Sequence, residues 1–168
     1  MKRYVRFADG LSQVFGNVAM WLALPLMGML VYEVIARTFF NTPHIWQVEM
    51  CEFTMGAYYM LGGAYTLMHE QGHVRMDVFY GQRTERGKAV SDVITFVPIM
   101  FFYLLIWLNG SISSLEYALV HHQKNFSSWG PPLAPIKIVI VVGLAVIILQ
   151  AVAECLKKLQ IIRGGETK

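Results

Sequence analysis

The residues best suited to chemistry stand together near the middle of this chain. His69-Glu70-Gln71-Gly72-His73 fits H-E-x-x-H, in which two histidines one helical turn apart hold zinc and the Glu activates a water. Zinc hydrolysis needs a third protein ligand, and the long form of the motif asks for Gly at 76 and His at 79, where this chain has Met76 and Phe79. Intramembrane zinc proteases need a further Asp motif on a later helix, and neither Asp77 nor Asp92 stands in such a context. The pair also closes an apolar run, where Gly72 suits a helix stop better than a helix interior. The expectation is a protein that is not an enzyme, with no catalytic residue, bound metal or cofactor. A protease using His69-Glu70-x-x-His73 is the minor alternative.

Carboxylates are the second source of chemistry. Glu33 and Arg37 stand one helical turn apart in the order that favours a pair, which predicts an ion pair near the end of a helix. A carboxylate coupled to ion or proton transport belongs nearer the centre of a membrane span. Trp46-x-x-Glu49-x-x-Glu52 opens the next helix with an aromatic residue and two acids.

The elements that position these groups are apolar. Of 168 residues, 55% are hydrophobic and 15% charged, against about a quarter charged in ordinary soluble domains, so the excess apolar surface has to face lipid. A bilayer core of about 30 Å takes roughly 20 helical residues to cross, and four runs qualify: about 14–36, 47–68, 89–119 and 135–156. The first has Pro25 inside it and shows no small-residue cleavage site, which predicts an uncleaved helix. In the second, Gly56, Ala57, Gly63 and Ala64 recur at seven-residue spacing, so one side lets another backbone approach, within this chain or on a partner. The third is long enough to tilt or protrude, and its Asn109-Gly110-Ser111-Ile112-Ser113-Ser114 stretch gains from facing protein rather than lipid. A proline-rich loop with Ser128, Trp129, Pro132 and Pro135 leads into the fourth.

The net charge of +3 does not point to nucleic acid, because the basic residues form short clusters beside apolar runs. Eleven of the fourteen Lys and Arg fall on one side, leaving Arg37, Lys124 and Lys137 on the other. That bias places both termini and the middle loop in the cytoplasm. Cys51 and Cys155 then lie at opposite ends of the membrane, too far apart for a disulfide. The fold class is an all-α membrane protein, one four-helix transmembrane domain over residues 1–168.

Arg37, Trp46-x-x-Glu49-x-x-Glu52, the Gly/Ala/Tyr-rich helix and His73-Val74-Arg75-Met76-Asp77 together resemble the small membrane subunit, of the DctQ type, of tripartite ATP-independent periplasmic (TRAP) transporters. Ser127-Ser128, Pro132, Pro135, Gly143 and Leu149-Gln150 resemble that family's final loop and helix. Gln47-Val48 departs from it, since an acidic residue is frequent beside the first Glu. The resemblance implies a multi-pass protein of the bacterial inner membrane, part of a secondary transporter driven by an ion gradient, usually sodium, that imports an organic acid. Its implied partners are a large membrane subunit, which carries substrate and ions, a periplasmic substrate-binding protein and membrane lipids. This chain is then a scaffold that binds no substrate, and a stand-alone four-helix exporter is the alternative. Expected partner contacts are Arg37, Trp46, Glu49, Glu52, Gly56 and Gly63, with Arg37 the cationic neighbour of the two acids. His73, Arg75 and Asp77 are expected at the inner interface, and Ser128, Pro132 and Pro135 in the outer loop.

Overall fold

The computed structural model describes residues 2–69 and 84–162. Their regular elements are all helical: α1 (Lys2–Phe39), α2 (Ile45–Met68), α3 (Glu85–Leu105), a π-helical segment (Ile106–Ser111), α4 (Ile112–Val120) and α5 (Ala134–Ile162). The chain from α3 to α4 is one rod, and its 34 residues from Gly87 to Val120 reach about 51 Å, well beyond a hydrocarbon core. Pro25 lies inside α1 and Pro98 inside α3. Each removes one N–H from its helix, a loss that a membrane bundle tolerates.

Three helical stretches, Lys2–Phe39, Gly87–Val120 and Ala134–Ile162, are long and apolar enough to cross a membrane. The 24-residue α2 is a fourth helix of sufficient length, but Glu49, Glu52 and its Gly, Thr and Tyr residues lower its hydropathy below that of the other three. The main departure from the expected boundaries is α1, which begins at Lys2 rather than near Val14.

The last helix is the centre of the bundle. In its most apolar stretch 39% is buried within the chain, against 11% for each of the other two long spans. On one side α1 and α2 pack against α5 and against each other, while the rod of α3, the π-helical segment and α4 lies on α5 elsewhere. Neighbouring positions fix the directions. Gly16 meets Tyr65 and Gly62 meets Ala19, so α1 and α2 are antiparallel. Gly56 lies by Ile136, Gly143 by Met60 and Gly63 by Ile147, so α2 and α5 run the same way. Trp107 Nε1 donates to Val141 O at 3.0 Å and Lys137 Nζ to Ser114 O at 3.1 Å, which sets the rod antiparallel to α5. Both ends of the described chain therefore lie at one end of the bundle, called here the terminal end. Residues 40–44 and 121–133 close the other, the hairpin end.

Small residues fill the interior and large ones face out. Among the described residues eight of the twelve buried apolar side chains are Ala, whereas Trp21, Met27, Ile94, Phe101 and Phe102 are all more than half exposed. Helices in lipid gain little from hiding large apolar groups and more from close backbone approach, so this inversion is what a membrane bundle requires. Among the glycines of the described residues, the closest approach to a neighbouring helix's backbone is at Gly143, where an added Cβ would lie 3.0 Å from Met60 O.

Gly143→Val is accordingly expected to destabilise the bundle by about 1–3 kcal/mol. Gly28→Ala, in open space, is expected to be neutral or to stabilise by up to about 1 kcal/mol. Unfolding in mild detergent compares the two; equal effects would rule out close packing at Gly143.

Candidate functional site

Two polar networks tie the helices together, one at each end. At the terminal end the side chain of Gln150 is fully buried. Its oxygen accepts from Ser12 Oγ at 2.8 Å, and its Nε2 donates to Asp9 Oδ1 at 2.9 Å and Glu154 Oε1 at 3.1 Å. Lys157 Nζ bridges the same two carboxylates at 2.8 and 2.7 Å. The spacing of 150, 154 and 157 puts all three on one face of α5, against α1. Tyr4 adds a bond from its hydroxyl to Leu149 O at 3.0 Å. The next residue, Lys158, turns the other way and lies 3.3 Å from Asp92 of α3, both side chains being nine-tenths buried or close to it. Adjacent lysines thus hold helices on two sides of α5.

At the hairpin end Glu33 is buried although it lies in the last turns of α1. Its Oε1 accepts from Arg37 Nη2 at 3.1 Å and from the backbone N–H of His44 at 3.2 Å, while Oε2 is 3.1 Å from His44 Nδ1. His44 in turn lies against the rings of Tyr32 and Trp46. The network clamps the turn, where Asn41 takes a positive φ of 52°, between α1 and α2. The expected Glu33–Arg37 pair is present, with His44 as a third member that the i, i+4 rule could not supply.

The expected contact residues are dispersed. Arg37 is engaged by Glu33, with no ion pair to Glu49 or Glu52 among the described residues. Trp46 is half-buried, Glu52 exposed and Glu49 buried. Glu49 Oε2 has no hydrogen-bond partner among the described residues, an expensive state for a buried carboxylate. Gly56 and Gly63 face Ile136 and Ile147 of α5, so that stripe serves packing within the chain. Ser128, Pro132 and Pro135 are exposed on or beside a loop ordered by Asn125 N–H to Pro131 O at 2.9 Å and Leu133 N–H to Gln123 O at 3.0 Å. Of the Asn109–Ser114 stretch only Ser111 is buried, and its neighbours stay exposed. His73, Arg75 and Asp77 lie outside the described residues, as do Glu70 and His73 of the zinc reading. The His69 ring lies against that of Tyr65 at a tilt, with centroids 4.4 Å apart.

Sequence reasoning missed the terminal network. Nothing in the patterning singles out Asp9, and Lys157 and Lys158 count only among the eleven basic residues that orient the chain. The legible signal was Gln150, Glu154 and Lys157 on one face of an otherwise apolar helix.

These features define an all-helical membrane protein whose buried charged side chains, Glu49 apart, bond partners within the chain. The model of the family described as "Tripartite ATP-independent periplasmic transporters, DctQ component" matches residues 26–161. The chain belongs to this family, a transporter component rather than an enzyme. No curated protein matches the chain.

Gln150→Leu keeps most of the side-chain volume but leaves Ser12, Asp9 and Glu154 without their shared partner. It is expected to destabilise by about 2–3 kcal/mol, with Gln150→Glu also unfavourable because it adds an anion beside two carboxylates. Thermal unfolding in detergent measures both; wild-type stability in Gln150→Leu would show that the network is incidental.

Proposed function

We propose that this chain is the small membrane subunit of a TRAP transporter, a scaffold for a large ion-coupled permease subunit that imports an organic acid delivered by a periplasmic binding protein. The family match over residues 26–161 carries this reading. In it all four helices cross the bacterial inner membrane, both termini are cytoplasmic and the coupling ion is sodium.

The geometry supports the scaffold role in three ways. Ser12 and Glu33, the buried members of the two networks on α1, are 21 residues apart, about 32 Å of helix, which matches the thickness of a hydrocarbon core. α2 packs beside α1 and α5 in the middle of the same slab, so its lower hydropathy is compatible with crossing in a protein-lined place. The buried acids Glu33, Glu154 and Asp92 are each held by a basic side chain of this chain, an arrangement that stiffens a frame. Glu49 differs, since its buried oxygen needs a donor from beyond the described residues. Together with the exposed Glu52 it supports contact with the large subunit near the hairpin end.

Purification in mild detergent with mass spectrometry tests the proposal. The large membrane subunit is expected to copurify, and Glu49→Gln with Glu52→Gln is expected to lower its recovery several-fold. Recovery of this chain alone, or transport by it when purified alone, would overturn the assembly reading.

Orientation has its own test. In intact cells Cys155 is expected to resist a membrane-impermeant thiol reagent, whatever the accessibility of the half-buried Cys51. Labelling of Cys155 without Cys51 would reverse the orientation.

A further inference from the structure

The first and second helices leave between them an open groove of about 480 Å³, with Gly16, Ala19, Ala23, Gly62 and Gly63 among its lining residues. A groove of small residues carries little by itself, because lipid chains fill such space as readily as protein. What distinguishes this one is its polar rim. Tyr58 and Tyr59 line it and are both exposed, Tyr59 by 65%, with their rings in edge contact at 5.4 Å. Neither phenol hydroxyl has a hydrogen-bond partner among the described residues. Asn17 lines the same groove, and its side-chain oxygen takes a 3.3 Å bond from Gln13 on the exposed surface of α1.

Depth gives these groups their meaning. From the His44 turn to Tyr58 is 14 residues, about 21 Å of helix, and from Tyr59 to the end of α2 at Met68 is about 14 Å. Tyrosine ordinarily sits in the interfacial belt, where its hydroxyl meets water and headgroups. Here two adjacent phenols stand well inside the slab, where an acyl chain offers no acceptor and an unmet hydroxyl is costly. Tyr103 on α3 is another phenol far from the helix ends, but it stands alone and is only half exposed. The face formed by α1 and α2 therefore joins a cleft to two donors that need acceptors. A partner helix with a narrow side and exposed acceptors complements both.

We infer that the α1/α2 groove receives a transmembrane helix of the large membrane subunit, which accepts hydrogen bonds from Tyr58 and Tyr59. The inference rests on the assembly reading above and adds to it which face of this chain is covered. The exposed side of α3, with Phe101 and Phe102, carries large apolar groups and suits lipid.

Photo-crosslinking in membranes containing the co-expressed large subunit tests it, with p-benzoylphenylalanine placed at Tyr59 in one variant and at Phe101 in another. Position 59 is expected to give an adduct containing large-subunit peptides, and position 101 little or none. Adducts at 59 with lipid only or with a second copy of this chain, or equal yields at both positions, would overturn the inference. If the large subunit copurifies but does not crosslink at 59, the face is wrong and the assembly reading stands; if it does not copurify, the assembly reading itself fails. The double variant Tyr58→Phe, Tyr59→Phe keeps the rings and removes both hydroxyls. It is expected to lower recovery of the large subunit by about threefold to tenfold, as two hydrogen bonds in a membrane would. Unchanged recovery would count against the hydrogen bonds.

Discussion

A buried amide that lipid cannot satisfy governs how these helices sit. Gln150 has a donor group and an acceptor oxygen inside a bundle whose surroundings offer neither, so partners have to come from the protein. Ser12 and Asp9 bring α1 to one face of α5, and Glu154 and Lys157 close the set from α5 itself. The register of α1 on α5 follows. With it comes the early start of α1, because Tyr4 and Asp9 have to be helical to reach positions 149–157.

Much of this architecture was legible from apolar run lengths. Each of the four runs contains or coincides with helix, since a stretch of some 20 apolar residues has few other stable states in lipid. Two features were not legible. Periodicity reports which residues avoid water and is silent on residues that pair across 138 positions of sequence, such as Ser12 with Gln150. The π-helical segment was equally hidden, because one extra residue in a turn leaves no mark on composition; it coincides with the segment in which Trp107 reaches Val141 O.

The contact residues show a different limit. Seven-residue spacing correctly put Gly56 and Gly63 on one side of α2, but spacing cannot say which neighbour occupies that side. In the fold it is α5 of the same chain. The acids divide in the same way. Glu33 is consumed by Arg37 and His44, whereas Glu49, an acid on the neighbouring helix, is buried with an oxygen left over. Local rules described the first because its cationic partner is one turn away, and are silent on the second, for which no partner stands among the described residues.

The lysines near the end of α5 carry the argument furthest. As exposed charges Lys157 and Lys158 would only orient the chain, and a surface ammonium adds little to stability. Instead they diverge from adjacent positions, one to Asp9 on α1 and the other to Asp92 on α3. A pair buried as deeply as Lys158 and Asp92 returns little net energy against an apolar replacement, but losing one member leaves an uncompensated charge. Such contacts make one packing much better than its near neighbours, which is a different property from making it tighter. For a chain whose interior is mainly alanine, and whose helices could otherwise slide with small losses, that specificity keeps α1 and α3 at fixed heights on α5. The clamp at Glu33 and His44 does the same for α2, so the bundle is pinned at both ends while its middle presents an open cleft.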